Sequence, residues 1–194
     1  MISLDLNKFD TSKAENMKMM FKECSSIKEL ILSSWNTKNV KDMLSMFESC
    51  KNLKELQISQ FNTQNVKYMN SMFSGCVKLT SLNIHNFDTR NVEDMSYLFE
   101  NLFIENLSLN FNTSNVVFMD YMFSGMTILK SISFGNGFST SNVKTMEGMF
   151  KDCHELVSLD VSNFETSKVK SFGYFLSNCK SLKSIDISHF KTNE

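Results

Sequence analysis

Proline is absent from the 194 residues, and only six glycines are present. Such a chain has to build its turns from Asn, Asp, Ser and Thr, whose short side chains hydrogen-bond the local backbone. No run of about 18 apolar residues occurs, so the sequence holds no candidate transmembrane helix. An excess of one charge is missing too: 20 Lys and Arg face 21 Asp and Glu, a formal net charge of −1. A nucleic-acid or anionic-membrane partner calls for a basic excess or stripe, so neither is expected. The first residues, MISLDLNKFD, lack the basic and apolar regions of a secretory signal; any export signal is expected to lie outside this chain.

What is present repeats. An aromatic residue followed two places later by Thr recurs at Phe9, Trp35, Phe61, Phe87, Phe111, Phe138, Phe164 and Phe190, with Thr11, Thr37, Thr63, Thr89, Thr113, Thr140, Thr166 and Thr192. The units run 9–34, 35–60, 61–86, 87–110, 111–137, 138–163 and 164–189, with partial units at both ends. Unit 87–110 is short, and the next carries Gly135 and Gly137 in its exit turn. A period in this range marks a solenoid, because one unit cannot bury its apolar face and stacked units can.

Within a unit the apolar spacing changes once. Val40, Met43, Met46, Phe47 and Cys50 fall at steps of three and four, which predicts one face of a helix. Leu56 and Ile58 then alternate as in a short strand. Thr37, or the Asn that follows at Asn39, Asn65, Asn91, Asn115 and Asn142, suits a helix N-cap. The expectation is eight strands, around Leu4, Leu30, Leu56, Leu82, Leu107, Ile132, Leu159 and Ile185, with seven helices between them. The fold class is α/β: a leucine-rich-repeat solenoid over 1–194 with parallel strands on a concave face and short helices on a convex one.

The string LxxLxLSxF(D/N)TxNVxxMxxMFxxC resembles the 26-residue repeat of the BspA-like surface proteins, a mycoplasma-type group of leucine-rich repeats. Departures include Ala14, Leu98, Leu102, Met126, Phe172 and Leu176. The resemblance implies an extracellular, surface-anchored, adhesive role, with a protein or glycan on a host or neighbouring cell as partner. An intracellular protein-protein scaffold is the alternative. Neither end shows a polar capping unit, so Ile2, Leu4 and Leu6, and Ile185, Ile187 and Phe190, are expected to be partly exposed. That fits a segment of a longer array, or ends that stack on another copy.

Chemistry-bearing residues do not converge. Cys24, Cys50, Cys76, Cys153 and Cys179 recur at one repeat position and read as buried core thiols. Their odd number and the lack of CxxC argue against a disulfide framework or a zinc site. Helices about 9–10 Å apart would also hold them too far apart for a disulfide. The methionine pairs, such as Met43 and Met46, read as core. His85, His154 and His189 sit at unrelated positions, and no nucleophile, metal-ligand or phosphate-binding motif is found. No catalytic residue, metal or cofactor is expected.

Two surfaces remain. The strand face carries Gln57, Asn83, His85, Ser108 and Ser133, small and polar groups suited to an extended ligand. The opposite face carries Tyr68, Tyr97, Val117, Phe118 and Tyr121 in the middle units, where other units have charged or small residues. Exposed aromatic patches mark interfaces.

Overall fold

The computed structural model describes residues 3–191. Five short strands form: β1 (Ser3–Asp5), β2 (Glu29–Ile31), β3 (Glu55–Gln57), β4 (Asn106–Leu109) and β5 (Ser131–Phe134). All pair in parallel, in sheets ordered β1-β2-β3 and β4-β5. The register follows the repeat, with Leu4, Leu30 and Leu56 side by side, and Leu107 beside Ile132. The strands expected around Leu82, Leu159 and Ile185 do not form. The breaks at Leu82 and Leu159 flank the irregular units, whereas the one at Ile185 lies in a unit of regular length. One residue fewer separates Leu102 from Leu107 than separates Cys76 from Leu82, and the Gly135–Gly137 insertion follows Ile132. Parallel pairing needs matched register, and both changes offset it.

The expected helices are absent among the described residues. Each Met-rich segment is instead a run of tight turns. Met46 N–H donates to Met43 C=O at 3.1 Å, Glu48 to Ser45 at 3.2 Å and Cys50 to Phe47 at 3.1 Å, all i→i+3. The intervening N–H groups leave the segment: Met43 donates to Tyr68, Ser45 to Asn70, Phe47 to Met72 and Ser49 to Ser74, at 2.8–3.0 Å. Ser45 and Ser49 adopt left-handed φ of 54° and 59°, which a right-handed helix does not tolerate. The same two left-handed positions recur in every coil, from Met19 and Glu23 to Tyr174 and Asn178. Apolar residues at steps of three and four still share one side. Val40, Met43, Met46, Phe47 and Cys50 are all buried, so the periodicity is met by turns instead of a helix.

Half of the backbone on this face is therefore bonded to the next coil, as on the strand face. Bridges run Asn16–Asp42–Tyr68–Asp94–Phe118–Thr145 in parallel. Both faces then repeat at the spacing of hydrogen-bonded chains, ~4.8 Å. Packed helices would need about 8–10 Å and would splay one face. The contrast between concave and convex faces is replaced by a strand face and a turn face of equal pitch.

Thr and Asn have roles other than N-caps. Thr37 Oγ1 donates to Asn62 C=O at 2.9 Å in the next coil and accepts Asn62 N–H at 2.8 Å. Thr11, Thr63, Thr89, Thr113, Thr140 and Thr166 likewise donate to the following coil, and all are buried. Thr192 lies outside the described residues. Asn39, Asn65, Asn91, Asn115 and Asn142 donate the other way, to carbonyls of the preceding coil at 2.7–2.9 Å.

Inside, Phe21, Phe47, Phe73, Phe99, Phe123 and Phe150 stack in a column with centroids 5.2–6.1 Å apart. Trp35 stacks on Phe61 at 6.5 Å. At the ends, Leu4, Leu6, Ile185 and Phe190 are half-buried and Ile187 is exposed, while Ile2 lies outside the described residues. The narrow pitch also removes the helix-spacing argument against disulfides between neighbouring coils. All five thiols are nonetheless free. Cys50, Cys76, Cys153 and Cys179 donate to carbonyls of the preceding coil at 3.0–3.2 Å.

Candidate functional site

The turn face is built from columns, each holding one repeat position. The bridge column runs through Tyr68, Asp94 and Phe118. Three residues later lies the first left-handed column: Met19, Ser45, Ser71, Tyr97, Tyr121, Gly148 and Tyr174. Since consecutive coils stand one chain spacing apart, Tyr97 and Tyr121 meet face to face, with centroids 5.2 Å apart and planes 4° apart. Tyr68 and Phe118 are 41% and 43% exposed, and Asp94 lies between them in the column. No ring contact joins either of them to the tyrosine pair among the described residues. Val117 is half-buried.

The tyrosine pair needs a gap beyond it. Gly148 has φ +57°, and a Cβ there would collide with the Tyr121 ring. Tyr121 therefore reaches across the next coil, where its hydroxyl donates to Glu147 Oε1 at 2.9 Å. This bond holds the phenol neutral and, with burial, pushes its pKa up to about 12. Burial, and then the negative charges of Asp120, Glu100, Glu147 and Asp94, raise the Tyr97 phenol as well.

Those four carboxylates were missed in the sequence. All are half-buried, and none has an ion-pair partner among the described residues. They are held by neutral donors. Asp94 accepts Ser96 N–H at 2.9 Å, and Glu100 accepts the Ser74 hydroxyl at 2.7 Å. Asp120 accepts the Thr145 hydroxyl, and Glu147 N–H at 2.8 Å. For three of them a signal was available: between Arg90 and Lys130 there is no Lys, Arg or His, while Glu93, Asp94, Glu100, Glu105 and Asp120 fall there; Glu147 lies beyond it, between Lys144 and Lys151. The near-neutral total conceals this run. Tyr174, 63% exposed, was also missed, although it occupies the repeat position of Tyr97 and Tyr121.

On the strand face, Gln57, Asn83, His85, Ser108 and Ser133 are all exposed. The Ser133 hydroxyl donates to that of Ser108 at 3.1 Å, so these two satisfy each other across β4 and β5. No group of three or more His, Cys, Asp or Glu is placed to hold a metal ion among the described residues. His154 Nε2 lies 3.8 Å from Asp152, and His189 Nε2 lies 3.0 Å from the Val161 carbonyl. Burial pushes the Cys153 thiol up, away from a reactive thiolate. No helix among the described residues is long and apolar enough to cross a membrane.

Short parallel strands contributed by five of the coils, with Leu4, Leu30 and Leu56 at matched register, make this a leucine-rich-repeat fold. A leucine-rich repeat protein from Bacteroides ovatus has the same fold, with a TM-score of 0.55 at 20% identity. The match covers 85% of this chain and 38% of that one, so the present chain spans well under half the length of that neighbour. Residues 1–107 and 78–190 match the family described as "Mycoplasma protein of unknown function, DUF285". The chain belongs to that family, the mycoplasma-type BspA-like repeats that its sequence resembles. Comparison with curated proteins found no match.

Proposed function

We propose that this chain is a non-catalytic binding segment of a cell-surface protein, and that it holds a host or neighbouring-cell macromolecule against its turn face. The observation that carries this reading is the aromatic patch of Tyr68, Tyr97, Phe118 and Tyr121, spread over consecutive coils of a backbone-bonded array. Three of these rings are exposed and Tyr121 is half-buried; large rings on a rigid scaffold supply contact area at little conformational entropy, as binding surfaces require. Two of them also sit in left-handed backbone, where Ser45 and Ser71 stand in earlier coils. Bulky side chains are uncommon in that region. The repeat fold supports a binding role, since solenoids of this kind present extended surfaces. The surface location and the protein or glycan partner rest on the family resemblance.

The test has two arms. Protease shaving of intact source cells should release peptides from 91–123; release only after lysis would move the chain inside the cell, as a scaffold. Beads coated with the chain should adhere to target cells. Phe118→Ser with Tyr68→Ser should reduce adhesion at least threefold with the circular-dichroism melt unchanged. Equal adhesion by the variant would remove the turn face as the site.

A further inference from the structure

The carboxylates beside the tyrosine pair break the charge pattern of their own face. Elsewhere, cations cross from coil to coil and neutralise acids: Lys41 to Glu15 at 2.7 Å, Lys22 to Glu48 at 3.0 Å and Lys67 to Glu93 at 3.2 Å. Beside the tyrosine pair four acids fall outside this pattern, although Glu93 and Glu105 close to them are paired with Lys67 and Lys130, and Lys144 and Lys151 lie on the third of the next three coils. Asp94 and Glu100 lie on one, Asp120 on the second and Glu147 on the third, half-buried and without a cation. A carboxylate held only by neutral donors has no counter-charge, and an incoming cation can supply one.

The rings complete the arrangement. One face of Tyr97 is covered by Tyr121, and the equivalent position in the preceding coil is Ser71, too small to cover the other. An uncovered tyrosine face ringed by carboxylates is suited to an ammonium or guanidinium group, through cation–π attraction and charge together. Within the array, Lys151 already stands over the Tyr174 ring at 5.8 Å. From Tyr68 to Tyr174 the columns cross four coil steps, ~19 Å at ~4.8 Å each, which matches about six residues of extended chain.

We infer that the turn face between Tyr68 and Tyr174 docks an extended, lysine- or arginine-bearing segment of a partner protein, whose cations pair with Asp94, Glu100, Asp120 and Glu147 over the tyrosine pair. This rests on the turn-face reading above and names the chemistry of its partner. The strand face also carries exposed acids, among them Asp5, Glu55, Asp160 and Asp186, but no exposed tyrosine ring stands with them among the described residues.

A fluorescein-labelled nonapeptide alternating Lys and Ser is the probe, with anisotropy on the full chain as readout. Saturable binding that weakens between low and moderate salt is expected, with no binding of the matching Glu–Ser peptide. Asp94→Asn, Glu100→Gln and Glu147→Gln together keep the acceptor atoms and remove three charges, and affinity should fall about tenfold. Tyr97→Ser, which installs the residue found in earlier coils, should lower it about threefold. If the triple variant loses its native melt, Glu100→Gln alone, expected to weaken binding at least twofold, decides the matter. Binding within twofold of the unmodified chain by the folded charge variants overturns the proposal, and so does equal binding of the Glu–Ser peptide. Displacement by spermine at the same concentration as by unlabelled peptide overturns it in favour of a small polycation. If the probe fails while Phe118→Ser with Tyr68→Ser still reduces cell adhesion at least threefold, the charge assignment falls and the turn-face site stands.

Discussion

Thr37→Val tests how the coils are joined. Thr37 is fully buried, and its hydroxyl makes two bonds to the next coil, to Asn62 C=O at 2.9 Å and from Asn62 N–H at 2.8 Å. Valine fills nearly the same volume and removes both. Two neutral hydrogen bonds contribute about 1 kcal/mol each, and groups left unpaired add to the loss. Because the Asn62 side of the contact reaches solvent, water recovers part of it, and a loss of about 2 kcal/mol is expected. Thr37→Ser keeps the hydroxyl and deletes one buried methyl, for about 1 kcal/mol. The order is the discriminating feature. At a helix N-cap, Ser would serve as well as Thr, and removing the hydroxyl would cost about 1 kcal/mol. The assay is urea unfolding followed by circular dichroism. Hydrogen exchange at the Asn62 amide checks that the loss is local, since repeat arrays can unfold in parts. A Val variant within about 0.5 kcal/mol of the parent, or a Ser variant less stable than the Val one, refutes the inter-coil pin.

Three further outcomes follow from the same geometry. Phe73→Ala removes a buried ring stacked at 5.9 Å and 6.1 Å on its neighbours, and should destabilise by about 3–5 kcal/mol in urea titration. Gly148→Ala places a Cβ in left-handed backbone and into the Tyr121 ring. The backbone alone costs about 1–2 kcal/mol, and combining it with Tyr121→Ser should recover only the steric remainder in a thermal melt. The neutral phenol of Tyr121 is favoured by folding, because its folded pKa is about 12 against an ordinary value of 10.0. Its stabilising contribution is complete below pH 10 and is lost as pH rises towards 12. Glu147→Gln should bring the phenolate transition in near-ultraviolet titration back towards the ordinary value; an unchanged midpoint would show that Glu147 is not its cause.

Unit length, register of the leucines and the buried set were legible because stacked copies force identical positions into line. Leu4, Leu30 and Leu56 pair as the repeat dictates. The helices were not legible as absent. Spacings of three and four are shared by a helix and by consecutive i→i+3 turns. The difference lies in where the Met43, Ser45 and Phe47 N–H groups go, and their acceptors stand one coil away. Nor does composition disclose the left-handed sites, since Ser, Met, Tyr, Glu and Asn occupy them as well as Gly. At the candidate site, the pairing of Tyr97 with Tyr121 follows from their common repeat position. The role of Gly148 does not, because it depends on a ring from another coil. The carboxylates escaped notice because balance over the whole chain hides a local run.

The shared pitch of the two faces has a mechanical corollary. A full coil of 26 residues, the offset between Leu4 and Leu30, advances the array by only ~4.8 Å. Paid out as extended chain, those residues span roughly 85 Å. Under tension along its axis the array is a spool: each coil that lets go yields a long tether, while the rows beyond it stay clasped on both faces. Pulling between its ends should give a sawtooth with increments of roughly 80 Å or multiples of it; one all-or-none extension would show that the coils do not release separately.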